Sequence, residues 1–226
     1  MAMLLHSRAF GILLELTGRL RRLPRKFAGV IALAAGIAFA QAPAPLPAGP
    51  APPSPAAIVA ALKSGGYIVY FRHTATDFSQ KDERMRDFDD CANQRNLTVE
   101  GREQAKKIGD AWRKLSIPLG RVLASPFCRT REVAQLAFGR FERALEVRGG
   151  PATAGDPVRY QPLSRLLESA PKKGANDVIV SHGNPYHALH SGTAYLREGE
   201  AAIIRPLPGG GHDVVGRIAW DEWPSR

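Results

Sequence analysis

Three short apolar runs, rich in β-branched and aromatic residues, constrain this chain more than any other feature. They are Tyr67-Ile-Val-Tyr-Phe71, Arg121-Val-Leu-Ala124 and Asp177-Val-Ile-Val180. Runs this short and this continuously apolar predict strands buried on both faces. Helical signals lie between them. Ser54-Pro55 forms an N-cap and first-turn pair for a helix over 56–63 that stops at Gly65-Gly66. Thr98 caps a second helix, in which Ala105, Ile108, Trp112 and Leu115 fall on one stripe. Further helices are expected over 126–138 and 163–170, and a late strand pair, 200–205 and 213–219, across Gly209-Gly210-Gly211. Strands alternating with helices predict an α/β fold, a three-layer sandwich around a mostly parallel central sheet.

Composition bounds the rest. The 226 residues are 44% hydrophobic, enough for one domain plus appendages, and exclude a multi-spanning membrane protein, a coiled coil and a collagen-like chain. Two cysteines exclude a disulfide-dense scaffold and a four-cysteine zinc site. The formal charge of +10 points first to nucleic acid, but half of it lies in residues 1–40. There a basic cluster from Arg19 to Lys26 precedes an apolar stretch and Ala38-Phe39-Ala40, the order of a secretory signal with a long n-region. Residues 41–55 hold seven prolines and predict an extended tether. The expected organisation is a signal peptide over 1–40, a linker over 41–55 and a catalytic domain over 56–226. That predicts a periplasmic or secreted protein that meets membrane only through the first segment if it stays uncleaved. Lys106, Lys107, Arg113 and Lys114 lie off the apolar stripe, so a solvated helix face, not a nucleic-acid surface, is expected.

Open α/β sheets bind ligands at the carboxyl ends of their strands. Here the three runs end in Arg72-His73, Ser125 and Ser181-His182. With these residues in view, the chain resembles the histidine phosphatase superfamily, to which phosphoglycerate mutases also belong. Phe71-Arg72-His73-Thr74 resembles its Arg-His-Gly signature, and Leu97-Thr98-x-x-Gly101-x-x-Gln104-Ala105 the helix that follows. Ser125-Pro126-Phe127-Cys128-Arg129-Thr130 is similar to its Ser-Pro-x-x-Arg-Thr segment, and Val180-Ser181-His182-Gly183 to its second His-Gly motif. The resemblance spans about residues 66–219 and implies a phosphoglycerate mutase-like fold of the shorter phosphatase branch. It also implies a small phosphorylated substrate and no cofactor. His73 would attack a phosphomonoester and form a phosphohistidine. Arg72 and Arg129 would bind the phosphoryl oxygens through guanidinium forks, and His182 would donate from the other side.

By offset, the resemblance makes Thr76, Ser79 and Asn184 secondary phosphate-pocket candidates, Ser79 standing where many relatives have Asn. Thr74 stands where they have Gly. The leaving-group acid lacks a local motif; Glu146 and Asp156 fall in the expected interval, with Glu198 and Glu200 as later alternatives. An exported chain with two cysteines commonly pairs them, so a Cys91–Cys128 disulfide is expected beside Arg129. His182, His187 and His190 could together suggest a metal site, but the resemblance gives His182 another task, so no metal is expected. A non-catalytic phosphate- or sugar-phosphate-binding relative at the cell envelope is the alternative. A basic module on anionic envelope polymers is a further one. Oligomeric state is not legible.

Overall fold

The computed structural model describes residues 51–150 and 158–224. The signal-like segment, most of the tether and Asp156 lie outside them. The described residues form one mixed six-stranded sheet with helices on both faces. In chain order they are α1 (Pro55–Lys63), β1 (Ile68–Arg72), α2 (Val99–Lys114), β2 (Leu119–Ala124), α3 (Cys128–Phe138) and β3 (Glu142–Arg143). Then come α4 (Gln161–Glu168), β4 (Asn176–Ser181), α5 (Gly183–Leu189), β5 (Ala201–Pro206) and β6 (His212–Ile218). The sheet order is β3-β2-β4-β1-β5-β6. Its first four strands are parallel, and β5 and β6 are antiparallel additions.

Side chains alternate between two cores, as a strand covered on both faces requires. Val69 and Phe71 of β1 join α1, α2 and α3 in one core, with Trp112, Val178 and Val180. Ile68 and Tyr70 turn to the other, with Leu163 and Leu167 of α4, Tyr186 of α5 and Ile204. Each fully buried residue of this kind contributes about 2 kcal/mol.

The local signals account for most elements. The Ser54 hydroxyl accepts from Ala57 N–H, and Thr98 Oγ1 accepts from Gly101 N–H at 2.9 Å. Two helices start two residues away from expectation. Helix α3 starts at Cys128 because Pro126-Phe127 stays extended; Phe127 supplies the N-cap backbone, and Thr130 Oγ1 donates to the carbonyls of Ser125 and Phe127, both at 2.8 Å. Helix α4 starts at Gln161 because Pro162 suits a first turn. Strand β3, two exposed residues beside Leu123 and Ala124, has no apolar run to announce it.

The Leu97–Ala105 motif anchors the loop that follows β1. Ala75 N–H donates to Gln104 Oε1 at 3.0 Å, and Ala75 O accepts from Thr98 N–H at 3.0 Å. Gly101 packs so closely on Ala75 O that a Cβ would collide with it.

Candidate active site

Strands β1 and β4 run parallel with Arg72 opposite Ser181, so His73 and His182 leave the sheet side by side. His73 N–H donates to Ser181 O at 3.0 Å, and the two imidazoles meet edge-on with centroids 5.4 Å apart. Beneath them, Tyr70 hydroxyl donates to His182 O at 2.9 Å and lies 2.8 Å from Ser181 Oγ, which donates to Val147 O. Burial raises the Tyr70 pKa, which keeps this hydroxyl a donor.

His73 is almost wholly buried. Its Nδ1 lies 3.0 Å from Thr74 O, and a carbonyl only accepts, so Nδ1 carries the proton and Nε2 is left with a lone pair. Thr74 occupies the usual glycine position without strain. Among the described residues Ser116 is the one non-glycine in the left-handed region, at φ 53°, so the loop does not need glycine's freedom at Thr74.

His182 Nε2 lies 2.8 Å from Ser125 Oγ, and its Nδ1 makes a long contact of 3.5 Å with Arg129 Nη2. A guanidinium only donates, so Nδ1 faces it as an acceptor and Nε2 donates to Ser125. Gly149 lies flat on this ring: a Cβ there would fall 2.6 Å from His182 Cδ2.

The cations converge from two elements. Arg72, ending β1, donates from Nη1 to Leu196 O at 2.8 Å. Arg129, in the first turn of α3, donates from Nη1 to Asp82 Oδ1 at 3.0 Å and to Arg95 O at 3.1 Å, and its guanidinium stacks on Phe127. Motif reading missed Arg95. Its charge acts on His73, His182, Arg72 and Arg129, and its guanidinium covers Phe78. The signal available was its position two residues before Leu97-Thr98.

The Nε–H groups of Arg72, Arg95 and Arg129 and the hydroxyl of Thr74 are buried without a hydrogen-bond partner. Such donors favour an anionic ligand. Burial, then the charge of Arg129, holds the pKa of both imidazoles well below 6.5. His73 is thus neutral at physiological pH.

The remaining candidates have separate partners. Thr76 is buried, and its hydroxyl donates to Glu198 Oε1 at 2.7 Å. Ser79 is exposed, its hydroxyl donating to Asp77 Oδ1 at 2.7 Å. Asn184 Nδ2 donates to Gly150 O, bracing the segment that packs on His182. Glu146 is exposed on a 3-10 turn, Leu145–Val147. Glu200 is buried and paired with Arg217 at 2.7 Å. Cys91 and Cys128 form a disulfide. His182, His187 and His190 do not converge: His187 stacks on Tyr195, and His190 lies on Tyr186 with Nε2 3.0 Å from His212 Nε2. The described residues contain no cluster of three or more such ligands.

Residues 68–150 match the model of the histidine phosphatase superfamily, branch 1. Over this stretch the chain is similar to that superfamily. The stretch carries Arg72, His73, Arg95 and Arg129, and near its end Gly149, which packs on His182. No curated protein matches the chain.

Solved structures resemble it at low identity. A proposed phosphohistidine phosphatase SixA from Agrobacterium tumefaciens is 17% identical over 68% of this chain and 98% of its own, with a TM-score of 0.48. A phosphoserine phosphatase variant from Entamoeba histolytica, in complex with phosphoserine, is 12% identical over 69% and 98%, TM-score 0.47. Bacillus stearothermophilus YhfR is 15% identical over 66% and 95%, TM-score 0.46.

Proposed function

We propose that this protein hydrolyses phosphomonoesters through a phosphohistidine on His73. One observation carries the reading: the buried, neutral imidazole donates from Nδ1 to Thr74 O, which leaves Nε2 with its lone pair, and the ring lies in the field of Arg129, Arg72 and Arg95, whose Nε–H donors are unused. Nε2 bonds to phosphorus as the ester P–O bond breaks, its electron pair leaving with the oxygen. Water then attacks phosphorus, and the N–P electron pair returns to Nε2. The transferring group spreads its charge over three equatorial oxygens. Arg72, Arg95 and Arg129 supply fixed positive charge for them, with no reorganisation needed at the moment of transfer.

His182 contributes by changing tautomer. The Ser125 hydroxyl can donate as well as accept. When it donates to Nε2, His182 holds its proton at Nδ1, beside Arg129, and donates it in a hydrogen bond to a phosphoryl oxygen. Thr76 acts on the site through Glu198, and Asn184 through the segment over His182.

The chemistry assigned to these side chains needs no metal. No described helix is long and apolar enough to cross a membrane. The disulfide accords with an oxidising compartment, and export through residues 1–40 is part of the proposal.

The test is p-nitrophenyl phosphate hydrolysis by the full chain, with and without EDTA, beside His73→Ala. The expected result is EDTA-resistant turnover and acid-labile phosphate on the protein, both lost in the variant. Phosphate binding without turnover would instead favour a binding-only relative. EDTA-sensitive turnover would overturn the metal-free scheme.

A further inference from the structure

The residues that ready His73 for attack are poorly suited to what attack produces. Burial and three arginines keep the ring neutral. Once Nε2 bonds to phosphorus, the ring keeps its Nδ1 proton and carries a full positive charge shared between both nitrogens. That charge arises in a desolvated position already crowded with cations, where uncompensated charge is costly.

We infer that Glu198 is the counter-charge of this phosphorylated imidazole, a positioning and electrostatic residue that acts through His73. The inference rests on the phosphohistidine reading above. Glu198 Oε1 is 3.8 Å from His73 Nδ1, and among the described residues no other carboxylate lies within ion-pair distance of that ring. The segment carrying Glu198 is fixed against β1: Gly199 N–H donates to His73 O at 2.9 Å, and Arg72 N–H donates to Glu200 O at 3.0 Å. Three donors then hold the carboxylate. Thr76 hydroxyl lies at 2.7 Å and Thr76 N–H at 3.3 Å, and Arg72 Nη2 makes a long contact at 3.5 Å. Asp82, the other carboxylate of the site, is committed to Arg129.

The position also separates this role from that of a leaving-group acid. In-line displacement sets the leaving oxygen across phosphorus from Nε2. Glu198 stands at Nδ1, on the opposite edge of the ring.

The experiment compares wild type, Glu198→Gln and Glu198→Asp in the full chain. It measures single-turnover phosphorylation by p-nitrophenyl phosphate, the inhibition constant for inorganic phosphate, and turnover of an alkyl phosphate. Gln keeps the shape and removes the charge. The expected loss for E198Q is about 10- to 100-fold in the phosphorylation rate. Inorganic phosphate is expected to bind more tightly, because a negative charge beside the pocket is gone. E198D is expected to keep most of the rate.

The tighter phosphate binding is decisive, since mere loss of structural support weakens binding and rate together. An unchanged phosphorylation rate overturns the inference, as does a loss of rate with weaker phosphate binding that Asp fails to rescue. Loss confined to the alkyl phosphate assigns Glu198 to leaving-group protonation instead. No phosphohistidine in the wild type overturns the underlying reading, and that outcome is recognisable before any variant is made.

Discussion

Removing the Cys91–Cys128 disulfide is expected to destabilise the protein far more than it harms the site. The bridge spans a sequence separation of 37 residues. Closing a loop of that size in the unfolded chain lowers its entropy enough to stabilise the fold by about 4 kcal/mol at 25 °C. For a domain of this size that corresponds to a fall of roughly 8–16 °C in Tm. The folded state has other reasons to keep the loop on α3. Cys128 N–H donates to Gln94 Oε1 at 2.9 Å, Arg131 reaches Asp89 at 2.8 Å and Phe88 O at 2.9 Å, and Arg129 holds Asp82 and Arg95 O. All of these bonds survive in Cys91→Ala/Cys128→Ala. Urea unfolding followed by tryptophan fluorescence gives the stability, and kcat/KM without denaturant gives the state of the site. The expected result is a loss near 4 kcal/mol with kcat/KM within a few-fold of wild type. A loss under about 1 kcal/mol would refute the unfolded-chain argument. A tenfold or greater loss of kcat/KM in folded protein would refute the claim that Arg129 keeps its place without the disulfide.

Three further outcomes follow from the site. Gly149→Ala, whose Cβ would meet the His182 ring at 2.6 Å, should displace that ring from Ser125 and lower kcat by about 10- to 100-fold, measured by steady-state kinetics on protein with unchanged circular dichroism. Arg95→Ala should raise the inhibition constant for inorganic phosphate about tenfold, with a smaller effect on kcat, if its charge helps hold the phosphoryl group. Below pH 6.5 the unfolded chain binds protons that His73 and His182 refuse in the fold, so stability should fall as pH falls. At one unit below 6.5 each of the two contributes at most about 1.4 kcal/mol of that loss, and urea titrations of wild type against His73→Gln/His182→Gln should show a flatter profile in the variant.

The framework was legible wherever burial writes itself into composition. The buried centres of β1, β2 and β4, Ile68–Phe71, Val122–Ala124 and Val178–Val180, are covered on both faces and therefore apolar, and their carboxyl ends delivered His73, Ser125 and His182 by position alone. Strand β3 is Glu142-Arg143, exposed and held by pairing with a neighbour 19 residues earlier, which local composition does not encode. Ser79 was drawn in by its offset from His73, but the carboxylate of Asp77, two residues away, captures its hydroxyl in a local turn. Arg95 sits in a polar loop without periodicity. Its importance comes from what that loop is folded against, above all the Arg129 guanidinium that its carbonyl holds.

Glu198 shows why the last part of a site is the hardest to read. Strands β1 and β4 enter the sheet in the same direction, so their histidines meet through a register that follows from the motifs. Strand β5 enters against β1, and the residue that arrives beside His73 is therefore one that precedes a strand rather than one that ends it. No carboxyl-end rule points there. The two edges of β1 thus bring different neighbours to one ring: the β4 and α3 side brings the neutral His182 and the charge of Arg129, which favours a neutral His73, while the β5 side brings the Glu198 carboxylate to within 3.8 Å of Nδ1. On the proposed mechanism the same fixed charges weigh differently on the neutral imidazole and on its cationic phosphorylated form. A parallel strand in the place of β5 would have left its amino end at the far edge of the sheet, with the carboxylate out of reach of Nδ1.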